Sequence, residues 1–142
     1  MIGRSSVVPV FAFALAIGGC GGSSSPDVVP GTASCTVTQM VSGGGTVLSQ
    51  RICQESIGLS SAQVTQLKQQ CMLPGGGLGA DAGISQQATF ASAPCSHDGA
   101  LGGCRLLQGG VTVTSWYYQM GPFTSADIQQ LCTSVGATFV AP

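Results

Sequence analysis

The chain has 142 residues, of which four are Lys or Arg, five are Asp or Glu and one is His, so that only 6% are charged and the net charge is −1. Average soluble proteins carry roughly 25% charged residues, and the length admits one domain or two small ones. So few cations cannot displace the counterions of a phosphate backbone, which excludes a nucleic-acid binder. With no Asn anywhere, the chain also has no acceptor for an N-linked glycan.

Residues 1–19 read as an export signal. Arg4 supplies the positive charge, and Val7 to Ile17 supply an apolar run of about a dozen residues, broken by Pro9. That run suits a signal-peptide core and is short of the about 20 residues a membrane span needs. Ile17, Gly18, Gly19 and Cys20 resemble the bacterial lipobox, an aliphatic and two small residues before a cysteine. The resemblance implies cleavage before Cys20 and acylation of it with chains such as palmitate, and two chains suffice for stable anchoring in a lipid bilayer. Residues 20–34, rich in Gly, Ser and Pro, are expected to form a lipidated, flexible tether.

The segment 35–142 is expected to be a single disulfide-rich domain. Cys35 opens a strand, glycines at 43–45 supply a turn, and a second strand runs to Cys53. A hairpin centred on Gly44 would set Cys35 opposite Cys53. A helix follows, opened by a Ser60 and Gln63 capping box and striped by Val64, Leu67 and Cys71. Met72 to Gln87 reads as a long loop, and its GGGLGADAG core lacks the Lys-Ser/Thr ending of a phosphate-binding loop. A short strand at Ala88–Phe90 then ends before Pro94.

The second half repeats this order. CRLL, QGG and VTVTSWYYQ make a strand, a turn and a strand; Thr124 and Asp127 cap a helix striped by Ile128, Leu131 and Val135; Ala137–Phe139 closes the chain. The expected fold is α+β: two tandem ββαβ repeats, at 35–95 and 104–142, of antiparallel hairpins each packed by one helix and stapled by disulfides. Six cysteines, Cys35, Cys53, Cys71, Cys95, Cys104 and Cys132, form an even set in an exported chain, and their number implies three bridges. Beyond Cys35 with Cys53, either Cys71 pairs with Cys95 and Cys104 with Cys132, or Cys95 and Cys104 close their own short loop.

The pattern of Cys95, Gly102, Gly103, Cys104 and Arg105, followed by Trp116 to Tyr118 and by Cys132, Gly136, Thr138 and Phe139, resembles small cysteine-rich bacterial lipoproteins of myxobacterial type. The resemblance implies a disulfide framework and carries no catalytic role with it.

Chemistry is sparse. No Cys-x-x-Cys pair exists and His97 is the only histidine, so no metal site and no cofactor are expected. His97 beside Asp98 invites a hydrolase reading, but no G-x-S-x-G elbow accompanies it. In a strand, Trp116 and Tyr118 share a face with Thr112 and Thr114; they are candidate contacts for a glycan or peptide ligand if that face is exposed, the alternative being core or disulfide packing. The expected function is a non-catalytic, lipid-anchored protein of the cell envelope, acting as a binding or structural module. Gly21 in place of an inner-membrane-retaining Asp favours the outer membrane. The rivals are a periplasmic thiol-redox protein and an envelope hydrolase.

Overall fold

The computed structural model describes residues 31–43, 46–72, 84–118 and 122–142. The export segment, Cys20 and most of the expected tether lie outside them. The elements are β1 (Gly31–Gly43), β2 (Thr46–Leu59), α1 (Ser61–Met72), β3 (Ile84–Ala91), β4 (Ala100–Gln108), β5 (Val111–Tyr118), α2 (Ser125–Ser134) and β6 (Thr138–Val140). One six-stranded sheet in the order β3-β1-β2-β5-β4-β6 carries all the strands of the described residues, every neighbouring pair antiparallel. The α+β class is as expected, with the strands in one continuous sheet. Gly31 to Ser34 belong to β1 rather than to the tether, and Ala33 there is completely buried.

Register decides the rest. In the β1–β2 hairpin the last pair is Gly43 opposite Thr46, so the centre falls between 44 and 45, half a residue beyond Gly44. Cys35 therefore faces Gln54, and Cys53 faces Thr36. Directly opposed residues share a face of the sheet and sequence neighbours do not. Cys35 and Cys53 point to opposite faces, and the expected bridge between them cannot form. The bridges are Cys35–Cys71, Cys53–Cys95 and Cys104–Cys132, with Cα separations of 5.7, 6.1 and 5.1 Å. Only the last matches an expected pair. Cys71 does not meet Cys95 because α1 and the segment bearing Cys95 lie on opposite faces.

Both helices lie on the face that carries Cys35 and Cys104. The α1 helix packs over β1 and β3, where Leu67 joins Ala33, Leu59 and Val111, with Val64, Phe90 and Val113 around them. Across β4 and β6, α2 sets Ile128 and Cys132 against Cys104, with Tyr117 and Phe139 alongside. The α1 capping box forms as expected, the Ser60 N–H donating to Gln63 Oε1 at 2.8 Å and the Gln63 N–H to Ser60 Oγ at 3.3 Å. At α2 the Thr124 hydroxyl and N–H both donate to Asp127 Oδ2, at 2.6 and 2.8 Å. The hydroxyl first and the backbone second hold the Asp127 carboxyl below its ordinary pKa. The cap is therefore complete at neutral pH and is lost as the pH falls through that lowered value.

Two expectations on the packing need correction. Val135 is not in the apolar stripe: it is the C-cap of α2, 49% exposed, and Cys132 takes the inward position. The third strand is longer than Ala88–Phe90, because Ile84 to Gln87 pair with Val41 to Thr38 of the long β1. Residues 73–83 of the expected loop lie outside the described residues.

Buried aliphatic side chains among the described residues come down to Ala33, Leu59, Leu67, Val111 and Ile128. At about 1.5–3 kcal/mol for each of the larger ones, they leave much of the stability to the bridges. Cys104–Cys132 has a sequence separation of 28. Its replacement by Ala at both positions is expected to lower the unfolding free energy by about 3–4 kcal/mol, read from denaturant midpoints of wild type and double variant; a change under about 1 kcal/mol would contradict the account.

Candidate functional site

The face opposite the helices carries Cys53, Glu55, Trp116, Tyr118 and Arg105, as the register of β2, β5 and β4 requires. It is not open. The connection from β3 to β4, residues 92–99, must cross β1, β2 and β5 to reach its next strand. With strands about 4.8 Å apart, the crossing is about 19 Å. Eight residues reach about 26–29 Å fully extended, so the connection crosses as a strap with little slack.

Cys95 pins the middle of the strap to Cys53 of β2, and Glu55 Oε2 accepts the Cys95 N–H at 2.9 Å. Beyond Cys95, the strap folds on itself. Ser96 Oγ donates to Asp98 Oδ2 at 3.1 Å, the Asp98 N–H donates back to Ser96 Oγ at 3.3 Å, and the Ala100 N–H closes a turn on the His97 carbonyl at 3.0 Å. Gly99 sits at φ 74°, a left-handed conformation, with open space where a Cβ would stand.

Two side-chain contacts tie this flap, Ser96–Gly99, to the sheet below. The Tyr118 hydroxyl donates to the Ser96 carbonyl, and the His97 ring lies on the Trp116 indole, centroids 4.0 Å apart and tilted by 32°. Each is worth about 0.5–1.5 kcal/mol. Beside them the Arg51 guanidinium stands 4.2 Å from the Tyr118 ring centroid. Burial pushes the Tyr118 hydroxyl up from its ordinary pKa, with Arg51 opposing and Glu55 and Asp98 adding to the rise.

Trp116 and Tyr118 are therefore buried, at 2% and 4% exposure, so the face on which they were candidate ligand contacts if exposed is instead packed beneath the strap and its disulfide. The alternation that put them on the Thr face is correct, but a loop covers that face. Trp116 Nε1 has no hydrogen-bond partner among the described residues, and an orphaned buried donor costs about 1–3 kcal/mol.

The hydrolase arrangement does not form around His97. A relay needs the imidazole between hydroxyl and carboxylate, whereas Asp98 bonds Ser96 directly and His97 is turned onto the indole. Arg51, Glu55 and Ser96 are site residues that reading the chain missed. Nothing local marks them, since each acts through a neighbour brought by the sheet or by the Cys53–Cys95 bridge. Among the described residues no three metal-ligating side chains cluster, and no helix is long and apolar enough to cross a membrane.

The two glycines before Cys104 are explained by their neighbours on either face. A Cβ at Gly102 would stand 2.3 Å from the Phe139 ring on the helix face, and one at Gly103 would stand 3.0 Å from Trp116 Cε3 on the strap face. No protein-family model, curated protein or solved structure matches the chain.

Gly103→Val is expected to force Trp116 from its place, lowering stability by about 1–3 kcal/mol and shifting the emission of the protein's single Trp to the red. Wild-type emission and stability in this variant would show that Gly103 does not set the position of the indole.

Proposed function

We propose that this chain is an exported, lipid-anchored, non-catalytic binding module of the cell envelope. The observation that carries the reading is that the six cysteines after position 34 close entirely among themselves. Such a set of bridges fits an extracellular or periplasmic environment, and it leaves Cys20 outside the framework. Cys20 stands where the lipobox resemblance places the acylated residue, after a short apolar segment and before a Gly- and Ser-rich stretch. Gly21 then directs the anchor to the outer membrane in a cell that has one, and membership of the lipoprotein family whose pattern the chain resembles belongs to the same proposal.

The domain held out by that anchor reads as a duplicated ββαβ unit. Phe90, Cys35, Gln54, Ser115, Cys104 and Phe139 form one row across the sheet on the helix face. Phenylalanines stand at its ends and bridged cysteines next to them, each bridge leading to the helix of its own half. Cys53–Cys95 has no counterpart in this arrangement, and it serves the strap that joins the halves. A thiol-redox role is disfavoured by the burial of the six bridged cysteines, none above 8% exposed, since exchange needs an accessible sulfur.

Detergent-phase partition tests the anchor. The full chain expressed in a bacterial host is expected to enter the detergent phase of Triton X-114 and to take up labelled palmitate, and Cys20→Ser to lose the label and remain as the uncleaved precursor. Equal labelling and equal processing of the two would remove the anchor.

A further inference from the structure

We propose that the aromatic surface under the Ser96–Gly99 flap is a saccharide platform, held closed by the His97 ring in the place a sugar ring takes. The inference rests on the binding-module reading and names its ligand class.

Three observations lead to it. First, the flap is tied internally by the Ser96–Asp98 bonds, and to the sheet by the His97 stack, the Tyr118–Ser96 bond and the turn bond from the Ala100 N–H at the start of β4 to the His97 carbonyl. Lifting it between the bridged Cys95 and the left-handed Gly99 breaks these three contacts and leaves the Ser96–Asp98 pair intact. The slack for this lies on its own side of Cys95, where four residues bridge two strand spacings. Second, His97 is exposed although its ring covers a buried indole. It is a cover, and removing it would open one face of Trp116 to solvent. Third, Trp116 Nε1 is a buried donor with no acceptor among the described residues, so a ligand acceptor brought to it would make a bond that the closed form lacks.

The ligand must present a flat apolar face to the indole, an acceptor to Nε1, and groups that take donors from Arg51 at the side of Tyr118. An N-acetylated pyranose does all three, through its C–H face, its amide carbonyl and its hydroxyls. An aromatic peptide side chain stacks equally well, but its nearest acceptor is a backbone carbonyl away from the stacked ring, whereas the pyranose carries its amide on the ring itself. A polyanion would need more cations than Arg51 and Arg105 supply on this face.

The test is a Trp116 fluorescence titration of the full chain in detergent, with chitohexaose as probe and a Phe-rich tripeptide as control. Closure lowers the apparent affinity by the open fraction, so variants that loosen the flap should bind more tightly. His97→Ala is expected to tighten chitohexaose binding about 3- to 10-fold, and Tyr118→Phe, which keeps the ring and loses the bond to Ser96, to act in the same direction. Weaker binding in His97→Ala would make His97 a ligand contact and overturn the gate. No emission change in wild type and both variants, or preference for the tripeptide, would overturn the saccharide platform. The titration does not depend on acylation of Cys20, so loss of the anchor with a successful titration would leave the platform standing.

Discussion

The half-residue position of one hairpin centre governs this domain. Because Gly43 pairs with Thr46, Cys35 and Cys53 stand on neighbouring strands one residue out of step and face opposite ways. A sheet of so few charges and so few large aliphatics needs both faces covered, and the two cysteines of one hairpin provide a covalent hold on each. Cys35 takes α1 on one face through Cys71, and Cys53 takes the 92–99 strap on the other through Cys95. Had the hairpin closed one residue earlier, the two sulfurs would have met each other, and neither cover would be attached.

Small clusters take the place of a single continuous core. One lies under α1, one under α2, and one between Trp116 and the strap, and every one of the three is built beside or around a cystine. Cross-links that close chain loops of some 28 to 42 residues act mainly on the unfolded chain. They compensate for the modest apolar area that a domain of this size can bury. The same economy explains the glycines at 102 and 103, which let Phe139 and Trp116 lie directly against the β4 backbone on its two faces.

Local chemistry was legible in the sequence wherever it is decided by neighbours in the chain. Both capping boxes and the β5 alternation that separates Val111 and Val113 from Thr114 and Trp116 follow from spacing alone, and the Cys104–Cys132 bridge is one of two pairings that spacing left open. Quantities set between distant segments were not. The hairpin centre was misplaced because three consecutive glycines make any of them able to turn. The length of β3 was underestimated because ISQQ has no apolar alternation and gains its strand structure from the neighbouring β1. The cover on Trp116 was invisible because it depends on strand order: a chain leaving β3 must cross three strands to reach β4.

That Cys35 and Cys53 are not joined to each other is the claim on which the two-faced arrangement rests, and the cations of the chain make it directly measurable. Trypsin cleaves after Arg51, Lys68 and Arg105, placing Cys35, Cys53 and Cys132 on separate peptides and Cys71, Cys95 and Cys104 together on residues 69–105. Digestion of the denatured, unreduced chain followed by mass spectrometry should return one cross-linked species in which 69–105 holds all three of the other peptides. Two separate species, one joining the Cys35 and Cys53 peptides and the other joining 69–105 to 106–142, would contradict the account.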